Sequence, residues 1–211
     1  MNVVSPPQPV KGKGIVFTED VSAISAFQEP SCPALIWSRN LPSGIQNWIE
    51  SIDPDHLPKG RIILRPDAVE NAVKHLFEMA HTPAGVERDW LLQDFKVLAK
   101  AFSALMNAEY IRLRLDVVTT NACRKFHVDA VTGRLVCTYR GTGTQYRSAS
   151  DGDNPHQFHT TPTGSPILLR GTLWPETPAT GFLHRSPPIE GTGETRLVLV
   201  LDPIEDPEDA I

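Results

Sequence analysis

The sequence predicts an α+β fold, with N-terminal helices packed on a C-terminal antiparallel β-barrel of jelly-roll type. Between Ala68 and Met106 apolar residues recur at three- and four-residue steps, the spacing of helices with one buried face. From Tyr110 onward, alternating or wholly apolar runs are separated by turn-rich loops, as antiparallel strands require. Helices first and strands second is the segregated order of α+β proteins. A chain of 211 residues suits one domain with a substantial core, and its 19 prolines and 14 glycines supply turns for many short strands.

Residues 1–14, rich in proline, glycine and lysine, are expected to form a flexible leader to a single domain over 15–211. The part spanning 15–109 is expected to be mainly helical with short strands. It opens with a short helix near 19–28 and a strand at 34–38. Ile45, Trp48 and Ile49 suggest a second short helix, closed by the turn residues Asp53-Pro54-Asp55. A strand follows at 60–65. Asp67 then precedes a helix carrying Ala68, Ala72, Val73, Leu76 and Phe77, and Pro83 and Gly85 separate it from a longer one. That longer helix presents Leu91, Leu92, Phe95, Leu98, Ala99, Phe102 and Leu105. The part spanning 110–203 is the predicted barrel core, with strands at 110–119, 123–129, 134–140, 166–173, 181–186 and 195–201. Its 148–164 loop, containing Asp151-Gly-Asp-Asn-Pro155, is long enough for a lid or a partner surface.

Twenty basic against 25 acidic residues give a net charge of −5, which argues against a nucleic-acid partner. No apolar stretch reaches the roughly 18 residues of a membrane-spanning helix, and the N-terminus lacks the pattern of a secretory signal. Cys32, Cys123 and Cys137 are an odd number without a close pair, which suits a reducing compartment. These features predict a soluble, cytoplasmic protein with a small-molecule or peptide substrate. They leave the oligomeric state open.

His127-Val128-Asp129 is the chemical centre of the sequence. Side chains two apart on a strand share a face, so both can grip one metal ion. His184, from a distant strand, completes two imidazoles and one carboxylate, a set that leaves coordination positions open as non-haem Fe(II) oxygenases require. Arg196 starts an apolar strand, where its planar fork matches a carboxylate of a co-substrate. Arg134 and Arg185 compete for that role.

Two segments carry a family resemblance. Cys123-Arg-Lys-Phe-His-Val-Asp-Ala-Val-Thr-Gly-Arg-Leu-Val-Cys-Thr-Tyr-Arg-Gly-Thr-Gly-Thr144 is one, and Leu183-His-Arg-Ser-Pro-Pro-Ile189 running into Arg196-Leu-Val-Leu-Val-Leu-Asp202 is the other. They resemble a bacterial family catalogued as domain of unknown function 1826, strongly from 110 to 202 and weakly before 60. The family name implies no activity. More distantly, the chain resembles the double-stranded β-helix (cupin-like) 2-oxoglutarate-dependent Fe(II) dioxygenases. In those, a His-x-Asp and a distal histidine bind iron, and an arginine after the histidine binds 2-oxoglutarate. His127, Asp129, His184 and Arg196 match in type and order, with 55 residues from Asp129 to His184 and 12 from His184 to Arg196. The resemblance implies Fe(II) and 2-oxoglutarate as cofactors and oxygenation of an unknown substrate. It gives Tyr139 an assisting role at the co-substrate and a place in catalysis, and Arg134, five residues beyond Asp129, is a further catalytic candidate by position.

The alternative is a non-catalytic, cupin-like zinc protein linked to metal homeostasis, an association that the family resemblance implies. Cys123, His127, Cys137 and His184 together are a rival zinc set by ligand type, although their spacing matches no standard motif. Gly141-Thr-Gly-Thr144 lacks the lysine and serine of a phosphate loop and is expected to be a turn. Trp174 is expected in the core or as the floor of a substrate pocket.

Overall fold

The structure, a computed structural model, describes residues 15–149, 157–175 and 181–208. The expected leader and the Asp151–Pro155 turn lie outside them. In chain order the regular elements are β1 (Ile15–Thr18), β2 (Ala34–Trp37), α1 (Ser43–Ser51), β3 (Gly60–Leu64), α2 (Val69–Met79) and α3 (Val86–Met106), then β4 (Tyr110–Val118), β5 (Gly133–Arg140), β6 (Gln145–Ser148), β7 (His159–Thr160), β8 (Ile167–Arg170), β9 (Phe182–Arg185) and β10 (Arg196–Ile204). A 3-10 helix at Val21–Gln28 takes the place of the first expected helix.

Seven strands form one sheet in the order β1-β2-β8-β5-β10-β4-β3, antiparallel except for the β1–β2 pair. A second sheet has the order β7-β6-β9. The large antiparallel-rich sheet agrees with the expectation, but its membership is wider. β1, β2 and β3 come from the part expected to be mainly helical, and β1, β6 and β7 are too short to show alternation. The run 123–129 is not a strand. Only His127 pairs, in an isolated bridge to His184.

Helix α3 places Glu87 and Asp89 in its first turn, where carboxylates offset the positive end of the helix dipole. It stops at Asn107, which adopts the left-handed conformation (φ 49°). Its buried face, including Leu91, Phe95, Leu98 and Phe102, joins one core with Ile111, Leu113 and Leu115 of β4 and Leu197, Leu199 and Leu201 of β10. The alternate residues of the same sheet look the other way. Val136, Val198 and Val200 form a second core with Tyr146 of β6 and Phe182 of β9, between the two sheets. Strand alternation thus gives the sheet an oily helix side and a side that closes over a cavity. No helix among the described residues is long and apolar enough to cross a membrane.

Candidate metal centre

A cavity of about 150 Å³ lies between the sheets, lined by side chains from β4, β5, β9 and β10. His127 and His184 exchange both backbone N–H···O bonds at 3.0 Å, so they are directly opposed and their side chains emerge on one side. Their ring centroids lie 4.6 Å apart. Phe126 turns away and is flanked by the Arg147 and Arg185 guanidinium groups, 4.7 and 4.4 Å from its centroid.

Asp129 is set by its backbone. Its carbonyl accepts from the Thr172 amide at 2.9 Å, and the Gly171 amide donates to Thr132 at 3.0 Å. A Cβ on Gly171 would sit 1.8 Å from the Val131 carbonyl oxygen, so only glycine permits this approach. The Asp129 carboxylate then reaches both imidazoles. His127 Nε2 is 3.4 Å from Oδ1, and His184 Nε2 is 3.0 Å from Oδ2. Ligand atoms of all three residues lie within 4.8 Å of one another.

A hydrogen bond to the backbone orients the His127 ring. His127 Nδ1 contacts the Lys125 carbonyl at 2.8 Å. A carbonyl only accepts, so Nδ1 carries a proton toward it and Nε2 is the ring nitrogen that faces the carboxylate. Asp129 Oδ2 is buried without a well-directed hydrogen bond, although Arg134 Nη1 approaches it at 2.7 Å. Burial pushes the Asp129 carboxyl up, but the neighbouring His184, Arg134 and His127 outweigh that and hold it below the ordinary carboxylate range. Two imidazoles and an ionised carboxylate with ligand atoms this close are a donor set that fits a divalent metal.

Arg134 braces this carboxylate. Its Nε and Nη2 donate to Asp202 Oδ1 and Oδ2 at 2.6 and 2.9 Å, while Nη1 faces Asp129. Asp202 is itself buried. The ion chain Asp202–Arg134–Asp129 joins a buried strand residue to the cluster. Asp202 escaped sequence reading, although its place in an apolar strand, with the same alternation parity as Arg196, was the available signal.

Arg196 is buried, only 2% exposed, and lines the same cavity. Its Nε donates to the Thr142 carbonyl at 2.6 Å and its Nη2 to Thr138 Oγ1 at 3.3 Å. Among the described residues no carboxylate pairs with it. Glu194, the nearest acid in sequence, accepts from the Thr142 amide and hydroxyl instead. Burial lowers the guanidinium to about 10, partly offset by Glu194. Arg185 also borders the cavity but donates to Gln145 Oε1 at 2.8 Å and stacks on Phe126 and Phe158.

Two expectations are corrected by the alternation of β5. Tyr139 is an odd number of residues from cavity-facing Arg134 and Val136, so it points to the helix side. There it is fully buried, donates to Asp94 Oδ2 at 2.5 Å and packs on Phe95. It neither lines the cavity nor reaches a co-substrate held there. Cys137 faces the same way, in the helix-side core. The rival set of Cys123, His127, Cys137 and His184 is therefore split across the sheet, and no cysteine belongs to the metal-binding group among the described residues. Trp174 packs on Phe27 and beneath Arg170, away from the cavity. Gly141–Thr144 is a turn between β5 and β6, as expected.

Two solved structures share the overall fold. One is the dioxygenase for auxin oxidation 1 from Arabidopsis thaliana, in binary complex with 2-oxoglutarate. It is 10% identical, with 95% of this chain and 98% of that chain covered at a TM-score of 0.53. The other is the dioxygenase for auxin oxidation in rice, 12% identical, with 94% and 85% covered at 0.51. No curated protein matches the sequence. Residues 18–202 match the family described as "Protein of unknown function (DUF1826)", and the chain belongs to that family.

Proposed function

We propose that the protein is a non-haem Fe(II)- and 2-oxoglutarate-dependent oxygenase. Its two sheets would form a double-stranded β-helix with the helices packed on the larger one. The observation that carries the reading is Arg196, a buried guanidinium without a carboxylate partner among the described residues, in the cavity that holds His127, Asp129 and His184. A cation sealed in a cavity calls for an anion, and a carboxylate matches its fork. The auxin dioxygenases support the reading at the level of fold.

His127, Asp129 and His184 would hold the metal through two imidazole nitrogens and one carboxylate oxygen. Arg134 keeps Asp129 aimed, and the Lys125 carbonyl keeps the His127 Nε2 lone pair available. Arg196 would take the distal carboxylate of 2-oxoglutarate, with Thr138 and Thr142 fixing the guanidinium. Val136, Val198 and Val200 keep water from the back of the site. Iron with 2-oxoglutarate and O2, when bound, would supply the oxidising power for hydroxylation of a substrate C–H bond.

Anaerobic titration of Fe(II) and 2-oxoglutarate tests the proposal. A weak visible charge-transfer band should appear only when both are present. His127→Ala should lose metal while remaining folded. Arg196→Gln should keep metal and bind 2-oxoglutarate at least about tenfold more weakly. A folded His127→Ala protein with undiminished metal affinity would sink the metal assignment. Stoichiometric zinc without 2-oxoglutarate binding would favour the zinc-homeostasis alternative.

A further inference from the structure

We infer that the site takes a free α-amino acid as its second ligand, its carboxylate held by Arg114 and its ammonium by Asp116. As a substrate assignment this rests on the oxygenase reading; as a binding site it does not.

The argument begins with β4. Ile111, Leu113 and Leu115 are buried in the helix-side core, which turns Arg112, Arg114, Asp116 and Val118 to the opposite face, where the last three line the cavity. Most charges on that wall have partners. Arg134 is clamped by Asp202 and Asp129, Arg112 lies 3.9 Å from Asp202, and Arg196 is tied to Thr142 and Thr138. Arg114 and Asp116 are different. Among the described residues neither makes a hydrogen bond or an ion pair, with the other or with any third group, and Arg114 Nε is buried without a partner. Two unpaired opposite charges in one wall call for a ligand that carries both.

Their spacing fits a small zwitterion. Two residues along a strand separate the Cα atoms by roughly 7 Å, so a long guanidinium and a short carboxylate can flank one α-carbon. Their position fits entry to the metal site. Arg114 and Asp116 line both the 150 Å³ cavity and an adjoining groove of about 620 Å³ on the β3–β4 edge. Exposed Lys59 and Arg61 border that groove and favour approach of a carboxylate. A purely anionic ligand would leave Asp116 opposed by like charge, whereas an ammonium satisfies it. The ligand's side chain then meets Val118, Val198 and Val200, on the wall shared with the metal cluster.

Ligand-detected saturation-transfer NMR tests this on Zn(II)-loaded protein, with and without 2-oxoglutarate. The probes are the twenty common L-amino acids and their matched 2-hydroxy acids. At least one amino acid should receive saturation and its hydroxy analogue should not. Arg114→Gln and Asp116→Asn should each weaken that binding by about tenfold or more, while 2-oxoglutarate binding is retained. Amide dispersion in the protein spectrum checks that both variants are folded. Absence of any amino-acid signal where 2-oxoglutarate binds would overturn the inference and leave the oxygenase reading intact. Equal binding of hydroxy acids, or indifference to Asp116→Asn, would overturn it as well. Amino-acid binding that depends on both residues, with no 2-oxoglutarate binding, would keep this site and remove the oxygenase reading.

Discussion

Asp129 meets two imidazoles and a guanidinium, and the guanidinium is the contact that no coordination argument anticipates. Replacing Arg134 by Gln removes the brace between Asp129 and Asp202, and metal affinity should fall by roughly 10- to 100-fold, as for other partners of metal ligands. Competition with a chromophoric chelator measures it, and unchanged affinity would mean that Asp129 is positioned by its backbone alone. The depressed Asp129 carboxyl also sets an acid dependence in the metal-free protein. A group with a lowered folded pKa contributes stability that is present above its ordinary value of 3.8 and lost as pH falls through the folded value. Urea unfolding of apoprotein between pH 7 and pH 3 should show that loss, and Asp129→Asn should flatten it. At this scale the grouping of His127, Asp129 and His184, with Arg196 in the same cavity, was legible, because few residue types can ligate metal or clamp a carboxylate. Tyr139 was misplaced because a family pattern was given more weight than the alternation of β5, which already assigned it to the other face. Arg114 and Asp116 lie within the expected 110–119 strand but were not singled out, since sequence does not reveal which charges end without partners.

Helical elements were legible wherever periodicity ran long, and strands wherever alternation covered five or more residues. The segment 123–129 failed because its alternation had no strand to pair with beyond one rung, and neighbour availability is a tertiary property. Its order comes instead from Gly171, across the chain from Asp129. Gly171→Ala forces the 129–132 loop away from 171–173, since the added carbon would lie 1.8 Å from the Val131 oxygen. The variant should lose about 1–3 kcal/mol of stability and bind metal more weakly, with the far-UV spectrum little changed. A thermal melt paired with metal titration decides this; parental affinity would show that the loop adapts without moving Asp129.

The seven-stranded sheet partitions the molecule into a helix side and a cavity side, and its three thiols report on that partition. Cys32 and Cys137 are buried, and burial raises both thiols, Cys137 to about 12, whereas Cys123 is exposed at the cavity. The native protein should therefore react with one equivalent of a thiol reagent at Cys123, and the unfolded chain with three, as mass spectrometry of alkylated protein would resolve. Native labelling of Cys137 would contradict the orientation of β5 and with it the placement of Tyr139. Metal should protect the whole molecule, because an ion bound only by the folded state at a hundredfold excess over its Kd adds about 2.7 kcal/mol. A chelator-reversible rise in Tm is the readout.

Strand β10 threads both sides of that partition with one alternating word: Leu197, Leu199 and Leu201 for the helices, Arg196, Val198 and Val200 for the cavity, and on that same face Asp202 for Arg134. A slip of a single residue would drive two ionised groups into hydrocarbon and leave leucines facing the ligand. Fold and site are thus proofread by the same register. A misthreaded chain should lose fold and cavity together, and under the proposed metal assignment the fraction of protein that survives heating should equal the fraction that still binds metal.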